Sequence, residues 1–560
     1  MQISRERKPK GTRRKLPLVG AVAAGGAASW ASWTAPAPAR GGLGLLLLAV
    51  SLAVGAGLLV RSWWHRTPFN LEIRVPWALS VRARMGEYQR PFLGWSRGFL
   101  GESRWAMGTE EDSVGVVGPP GVNKTSGIGI AQALMWGGAL VSVSQTPLIL
   151  RETLIRRFKL ARRSGGHVII YAPTEAGFVE GLRPVRFSPS SSSDPTEIGL
   201  RVESWLAATG TAKGLQDFEH FRAGAGAILR GCFLADAHHP TEPGNFALVR
   251  KWLSSRNLAD PIAILQSLNT KVGDQWAEEL EGIEHSPAER EREGFFSSAL
   301  TTIGVTSNPN VLASTAVNEL DAESFLLSGS TLYIVSPTEH QKMAAPLIAM
   351  LVDHLVRTAY RLHREGRLPA RFLLSLDDLA NVCPLPSLES IISQGRGQGV
   401  NVAWSLQSLA QLRDHYGVEA AEAIWSATRC KIVFGGLSDE QTLERTSAVI
   451  PDERVVVPGL SETDKGPKGS KHIIFRRLLS AGQLREIPSG WALLLYLNQP
   501  PRMLRQPLAE KRWQLKWHMI RWAPGRVAVP LVAEPVVGRH GAPVFIVVPP
   551  TEAGDVAAEG

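Results

Sequence analysis

The chain has 560 residues, 61 Lys/Arg against 51 Asp/Glu, and a formal net charge of +10. That length supports two or more domains with real cores and excludes a peptide or a fully disordered tail. Three cysteines, none in a CxxC pair, exclude a disulfide scaffold and give no support to a zinc knuckle.

The charge is uneven. Residues 1–66 hold ten Lys/Arg and one acidic residue, leaving 51 basic and 50 acidic groups for the rest. Net charge is therefore no argument for a DNA-binding body. The basic excess flanks two uncharged stretches, Leu16 to Ala39 and Gly41 to Val60, separated by Arg40. The second contains LLLLAVSLAVGAGLLV and has 20 residues, enough to cross a bilayer as a helix. The first, rich in Gly and Ala with Trp30 and Trp33 near its end, is the weaker span. Seven basic residues precede it, and Arg61, Arg66, Arg74, Arg82 and Arg84 follow the second. The positive-inside rule then predicts a transmembrane hairpin in the cell membrane with the main domain cytoplasmic. A single span and a cleaved signal peptide are the competing readings.

From Ser113 onward, apolar strands alternate with helical runs, which predicts an α/β domain with a parallel-rich sheet. Ser113–Val117, Ala139–Val143 and Val168–Tyr171 read as strands, and SPSSSSDP (Ser188–Pro195) as a boundary loop. Between about Glu197 and Ala299 the periodicity turns helical, which predicts an inserted all-α subdomain. Strands resume at Leu332–Val335, Phe372–Leu376, Val400–Trp404, Lys431–Phe434 and Trp491–Tyr496. The expected division is 1–66 basic terminus and membrane helices, 67–195 and 306–517 the two parts of the nucleotide-binding domain, 196–305 the insert, and 518–560 a flexible tail. The polar run Glu462–Lys471 reads as a flexible surface loop, and His238-His239 as a helix-end turn, not a metal site.

The first strand leads into Gly118-Pro-Pro-Gly121-Val-Asn123-Lys124-Thr125-Ser126. A phosphate-binding loop reads G-x-x-x-x-G-K-[ST]: its backbone N–H groups cradle phosphate, the lysine meets the outer phosphates, and the hydroxyl binds magnesium. Gly118, Lys124 and Thr125 match, and Asn123 replaces the second glycine. Asn tolerates positive φ better than most residues, so the bend is expected to survive. Alone, this loop reads equally as a structural turn. Downstream, the apolar strand Phe372–Leu376 ends in Asp377-Asp378, as a Walker B strand requires: one acid for magnesium, the next to orient or deprotonate water.

Several ordered motifs then coincide: Leu376-Asp-Asp-Leu-Ala-Asn381, Pro384-Leu-Pro386, Gly395-Arg396-Gly-Gln-Gly399, Leu406-Gln407-Ser408 and Tyr416-Gly417. This block resembles the signature of the TraG/TraD-type coupling proteins, membrane ATPases that recruit DNA to conjugative type IV secretion systems. The resemblance runs from about residue 16 to about residue 517. It implies two membrane helices, a RecA-like P-loop domain with an inserted all-α domain, ATP and Mg2+ as ligands, and a homo-hexameric ring. The partners it implies are relaxase-bound single-stranded DNA, components of the secretion channel, and membrane lipid.

By the same resemblance, Gly118, Gly121, Asn123, Lys124, Thr125 and Ser126 would bind nucleotide. Thr125 and Asp377 would hold magnesium, Asp378 would act on the attacking water, and Gln407 would sense the outer phosphate. Arg396 would reach a nucleotide across a subunit interface. The chain departs from the family at Asn123, at Asp378 where Glu is usual, at Ser144-Gln-Thr146-Pro147 where an Asp/Lys pair is usual, and at Ala172 where Asp is usual. Two readings follow: a DNA-translocating ATPase, or a non-hydrolysing receptor or structural subunit with a degenerate ATP site. A double-stranded DNA translocase of the FtsK-like kind is disfavoured by the helical insert and by the Leu376–Gln411 block.

Overall fold

The computed structural model describes residues 50, 69 and 71, residues 74–519, and two short stretches at 535–537 and 543–545. Within 74–519, residues 99–101, 176–178, 180–181, 210–217, 338, 340 and 464–465 are excepted. The expected membrane hairpin and nearly all of the expected tail lie outside the described residues. Among the described residues, no helix is long and apolar enough to cross a membrane.

Within 74–519 the strands are β1 (Ser80–Arg82), β2 (Phe92–Arg97), β3 (Ser103–Met107), β4 (Val114–Val117), β5 (Leu140–Ser144), β6 (Val168–Tyr171) and β7 (Thr331–Val335), followed by β8 (Phe372–Leu376), β9 (Val400–Leu406), β10 (Cys430–Phe434), β11 (Asp452–Thr463), β12 (Gly466–Arg477), β13 (Trp491–Tyr496) and β14 (Arg502–Arg505). All but β11 and β12 join one sheet in the order β1-β3-β2-β14-β13-β10-β4-β9-β8-β5-β7-β6. From β10 to β6 every pairing is parallel, and from β1 to β10 every pairing is antiparallel.

Continuous burial along LVSVS in β5 and FLLSL in β8 reflects a parallel sheet covered on both faces. Successive side chains alternate between two cores. Val117, Val141, Val143, Leu374 and Leu376 face one. Val116, Leu140, Ile170 and Leu373 face the other.

Between β6 and β7 the regular structure is helical, running from Pro195–Thr209 through Phe218–Ala237 to Ala322–Leu327. Its interior is built on Trp205, stacked on Phe246 at 5.4 Å and edge-on to Phe233. This interior is continuous with the sheet face that carries Val117 and Leu374. The helix Pro195–Thr209 packs on the long helix Gln341–Arg364, which bears on that face. Asp353 on the long helix ties the layers together. It accepts hydrogen bonds from Ser204 of the helical insert, from Arg357, and from Ser387 Oγ at 2.6 Å.

One expectation stands with an addition and one needs correction. The serine-rich stretch after β6 is a loop, but a packed one: Ser188, Ser190 and Ser192 are buried, and Ser190 donates to the carboxylate of buried Asp236. Glu462–Lys471 is the distal part of a hairpin formed by β11 and β12, paired from Asp452↔Arg477 to Thr463↔Gly466. Its polar, Gly- and Pro-containing composition resembles loop chemistry, whereas the β-branched runs on either side supply the strand pairing. His238 and His239 do close a helix, with His239 Nδ1 accepting from the Glu242 N–H at 3.1 Å. Among the described residues no cluster of His, Cys, Asp or Glu has metal-site geometry. All three cysteines are free and buried.

Candidate nucleotide site

The loop Gly118–Asn123 leaves the carboxyl end of β4 and enters a helix that is π-wound over Lys124–Gly129 and α-helical over Ile130–Met135. Gly118 sits where a Cβ would lie 2.7 Å from Phe434 Cβ and 2.9 Å from Val122 Cγ2, so no larger residue fits. Asn123, at the position of the missing glycine, adopts φ 73° and ψ 26°. The left-handed bend therefore survives without glycine. It is braced by a 3.4 Å contact from Asn123 Nδ2 to the Gln506 carbonyl and by the Gly127 N–H on the Asn123 carbonyl at 2.8 Å.

Lys124 Nζ donates to the loop's own carbonyls, Gly118 O and, at 3.0 Å, Pro119 O. Burial pulls the Lys124 ammonium below its usual range, while Asp377 and Asp378 oppose that shift. Thr125 Oγ1 donates to Asp377 Oδ2 at 2.5 Å. The loop and the downstream acidic strand, 252 residues apart in sequence, thus meet at one point. Ser126 lies in the same first helical turn, and Gly121, at φ 82°, shapes the middle of the loop.

Strand order explains the meeting. β9 lies between β4 and β8, and its Ser405 donates from Oγ to Asp377 Oδ1 at 2.7 Å while accepting the Asp378 N–H at 3.0 Å. Burial raises the Asp377 carboxyl above its usual range, and the bonds from Thr125 and Ser405 counter part of that rise. Asp378 holds φ 56°, a left-handed backbone uncommon outside glycine. Its Oδ2 accepts from Gln145 and from Asn381 Nδ2 at 3.0 Å. Its Oδ1 is buried without a hydrogen-bond partner among the described residues.

Gln407 follows β9 immediately. The carbonyl before it accepts the Gly118 N–H at 3.1 Å, and the Gln407 N–H donates to Gln411 Oε1 at 3.0 Å. It is therefore beside the loop. Arg396 is not. It lies in the turn before β9, exposed, with Nε 3.8 Å from Glu111 Oε2. The whole length of a seven-residue strand, roughly 23 Å, separates it from the loop edge of the sheet.

The sequence reading gave no role to Ser405, Gln145 or Asn381, although Gln145 and Asn381 stand inside motifs it quoted. A serine inside the apolar run VNVAWSL and the polar residues just past β5 were the available signals. Thr125 Oγ1 and the Asp377 carboxylate form a hard oxygen donor set of the kind magnesium takes together with phosphate and water. Asp378, with one carboxylate oxygen anchored and the other unpartnered, has the arrangement of a group that accepts a proton or orients water.

Residues 371–489 match the family model described as the TraM recognition site of TraD and TraG. The conjugal transfer protein TraG of Agrobacterium fabrum (strain C58 / ATCC 33970) is 24% identical over 393 residues, covering 68% of this chain and 57% of that protein. The probable conjugal transfer protein TraG of Sinorhizobium fredii (strain NBRC 101917 / NGR234) is 24% identical over 335 residues, covering 58% and 50%. The matched region thus spans about half the length of these relatives. Among solved structures, the bacterial conjugative coupling protein TrwBdeltaN70 superposes with a TM-score of 0.51 at 20% identity, covering 71% of this chain and 85% of that one. The plasmid coupling protein TrwB in complex with ADP and Mg2+ gives the same score and identity, covering 72% and 87%. These structural likenesses concern the fold.

Proposed function

We propose that the chain is a member of the TraG/TraD family of conjugative coupling proteins, to which it is similar in sequence, and, from that premise, a membrane-anchored, ATP-hydrolysing coupling protein of a type IV secretion system. In this reading the body is a RecA-like P-loop domain, 67–195 with 306–517, carrying the helical insert 196–305 on the cytoplasmic side of an N-terminal hairpin. It works as a homo-hexamer that receives relaxase-bound single-stranded DNA and passes it to the channel.

The observation that carries the proposal is the convergence of Lys124, Thr125, Asp377, Asp378 and Gln407 at one sheet edge, with Asn123 keeping the bend. Ligands of open α/β sheets bind at the carboxyl ends of the strands. Lys124 would release Gly118 O and Pro119 O for the stronger acceptors of a phosphate. Gly118, Gly121, Asn123 and Ser126 would shape the backbone cradle. Thr125 and Asp377 would hold Mg2+, which supplies charge neutralisation on the phosphates. Asp378 would orient the attacking water. Gln407, joined through Leu406 to the loop and through Gln411 to the next helix, would pass loss of the outer phosphate to β9. Arg396, far from the loop of its own chain, would act only on a neighbour's nucleotide.

One observation favours a second reading, a receptor that binds nucleotide without turnover: the chain departs from the family at four places, Asn123, Asp378, Ser144-Gln-Thr146-Pro147 and Ala172. The test is Mg2+-dependent ATP binding and turnover by the purified 560-residue chain in detergent, with and without single-stranded DNA, beside Lys124→Ala and Asp377→Ala. DNA-stimulated turnover that both substitutions abolish is the expected result. Binding without turnover in the unmodified protein would select the receptor, and no binding at all would reject both.

A further inference from the structure

We propose that Gln145 is a positioning residue for the Asp378 carboxylate, clamping Oδ2 so that Oδ1 faces the water that attacks the terminal phosphate. This rests on the ATP-hydrolysing reading. The sheet register places the two side chains together: β5 and β8 are parallel neighbours with Val143 opposite Leu376, so two residues further on, 145 stands opposite 378. Both positions lie just past the carboxyl ends of their strands, on the edge that carries the loop.

The clamp has four parts. Gln145 Nε2 and Asn381 Nδ2 both donate to Asp378 Oδ2. Ser405 Oγ accepts the Asp378 N–H, and the left-handed backbone at φ 56° fixes the direction of the side chain. A carboxylate oxygen has room for two donors, so Oδ2 is filled. Oδ1 is buried and has no hydrogen-bond partner among the described residues. The carboxylate is thereby made asymmetric, one oxygen structural and the other available.

Aspartate reaches one methylene less far than glutamate, and its direction at this site depends on outside donors. Gln145 supplies one from the neighbouring strand. In the step it serves, the water oxygen bonds to the terminal phosphorus as the bond from that phosphorus to the bridging oxygen breaks, the electron pair staying on the departing diphosphate. The water proton passes to Asp378 Oδ1 and leaves with inorganic phosphate.

The experiment compares the full chain with Gln145→Ala, Asp378→Glu and the double variant. Steady-state ATP turnover is measured with the affinity for a fluorescent non-hydrolysable ATP analogue, and thermal midpoints confirm folding. Misplacing a catalytic group by about 1 Å costs about 10²-fold, so Gln145→Ala is expected to lower kcat by roughly 10- to 100-fold. KM and analogue affinity should stay within about twofold, the signature of an interaction felt in the transition state. Glutamate needs less external support, so Asp378→Glu placed in the Gln145→Ala background should recover most of the lost rate. The proposal is overturned if kcat is unchanged, if analogue affinity falls in parallel with kcat, or if the two substitutions combine without rescue. Wild-type protein that turns over while Gln145→Ala matches it removes this inference alone; wild-type protein that binds the analogue without turnover removes the hydrolytic reading and this inference together.

Discussion

Asn123 keeps a left-handed bend at the position where a phosphate-binding loop carries glycine. A phosphate-binding loop needs a left-handed bend before the lysine, and Asn123 makes that bend at φ 73°. For an L-residue the left-handed region costs roughly 1–2 kcal/mol, least for Asn, Asp and Gly. Asn123→Gly is therefore expected to keep stability within about 1 kcal/mol and to retain nucleotide binding. A β-branched residue has no such tolerance, so Asn123→Val should cost about 1–2 kcal/mol and weaken binding. Thermal midpoints with and without a nucleotide analogue check both. A native-like affinity in Asn123→Val would mean that the bend is not needed.

At the scale of elements, function depends on which strand lies beside which. β9 between β4 and β8 brings Ser405 against Asp377 and sets Gln407 by the loop. One layer away, Asp353 on the long helix Gln341–Arg364 receives Ser204 from the helical insert and Ser387 from the segment that follows the acidic strand. Removing that buried acceptor takes a partner from the Ser204 and Ser387 hydroxyls and from Arg357 at once. Asp353→Ala is expected to destabilise by about 2–3 kcal/mol, and Asp353→Asn, which keeps one acceptor oxygen, by less. Chemical denaturation of the two variants tests this. Equal effects would show that packing and not hydrogen bonding holds the junction.

Among the described residues the molecule is a covered sheet with a helical insert whose interior does not stop at its own boundary. Trp205, Phe233 and Phe246 of the insert share a continuous apolar cluster with Val141 and Leu374 of the sheet. Cooperative units follow contiguous cores more closely than chain segments. The insert and the parallel sheet are therefore expected to unfold together, with coincident transitions by far-ultraviolet circular dichroism and by hydrogen exchange of insert peptides. Earlier opening of the insert by several kcal/mol would mean that the shared cluster does not couple the two.

Every strand of the parallel half was legible to within two residues, because strands buried on both faces must be short apolar runs and little else in a soluble domain looks like them. The helical character of the insert, from about Glu197 to Ala299, was legible for the matching reason, a period of 3.6 with polar residues off-face, but the break between helices Ala259–Ser267 and Lys271–Glu284 was not. In the antiparallel wing β13 was legible too, at Trp491–Tyr496, whereas β1, β2, β3 and β14 were not. β2 reads FLGWSR with a glycine at φ 145°, and β14 is only four residues long, so neither shows a period. Lys124, Thr125, Asp377 and Asp378 declared themselves by residue type at fixed spacing.

By itself, then, the sequence determined the strands of the parallel half, the helical character of the insert and which side chains match a phosphate-binding loop and an acidic strand end, since all of these depend on local pattern. Strand order and register belong to the tertiary structure alone, because they arise from pairing residues hundreds of positions apart. Only that pairing set Ser405 between the loop and the acids, brought Gln145 onto Asp378, and left Arg396 at the far edge of the sheet.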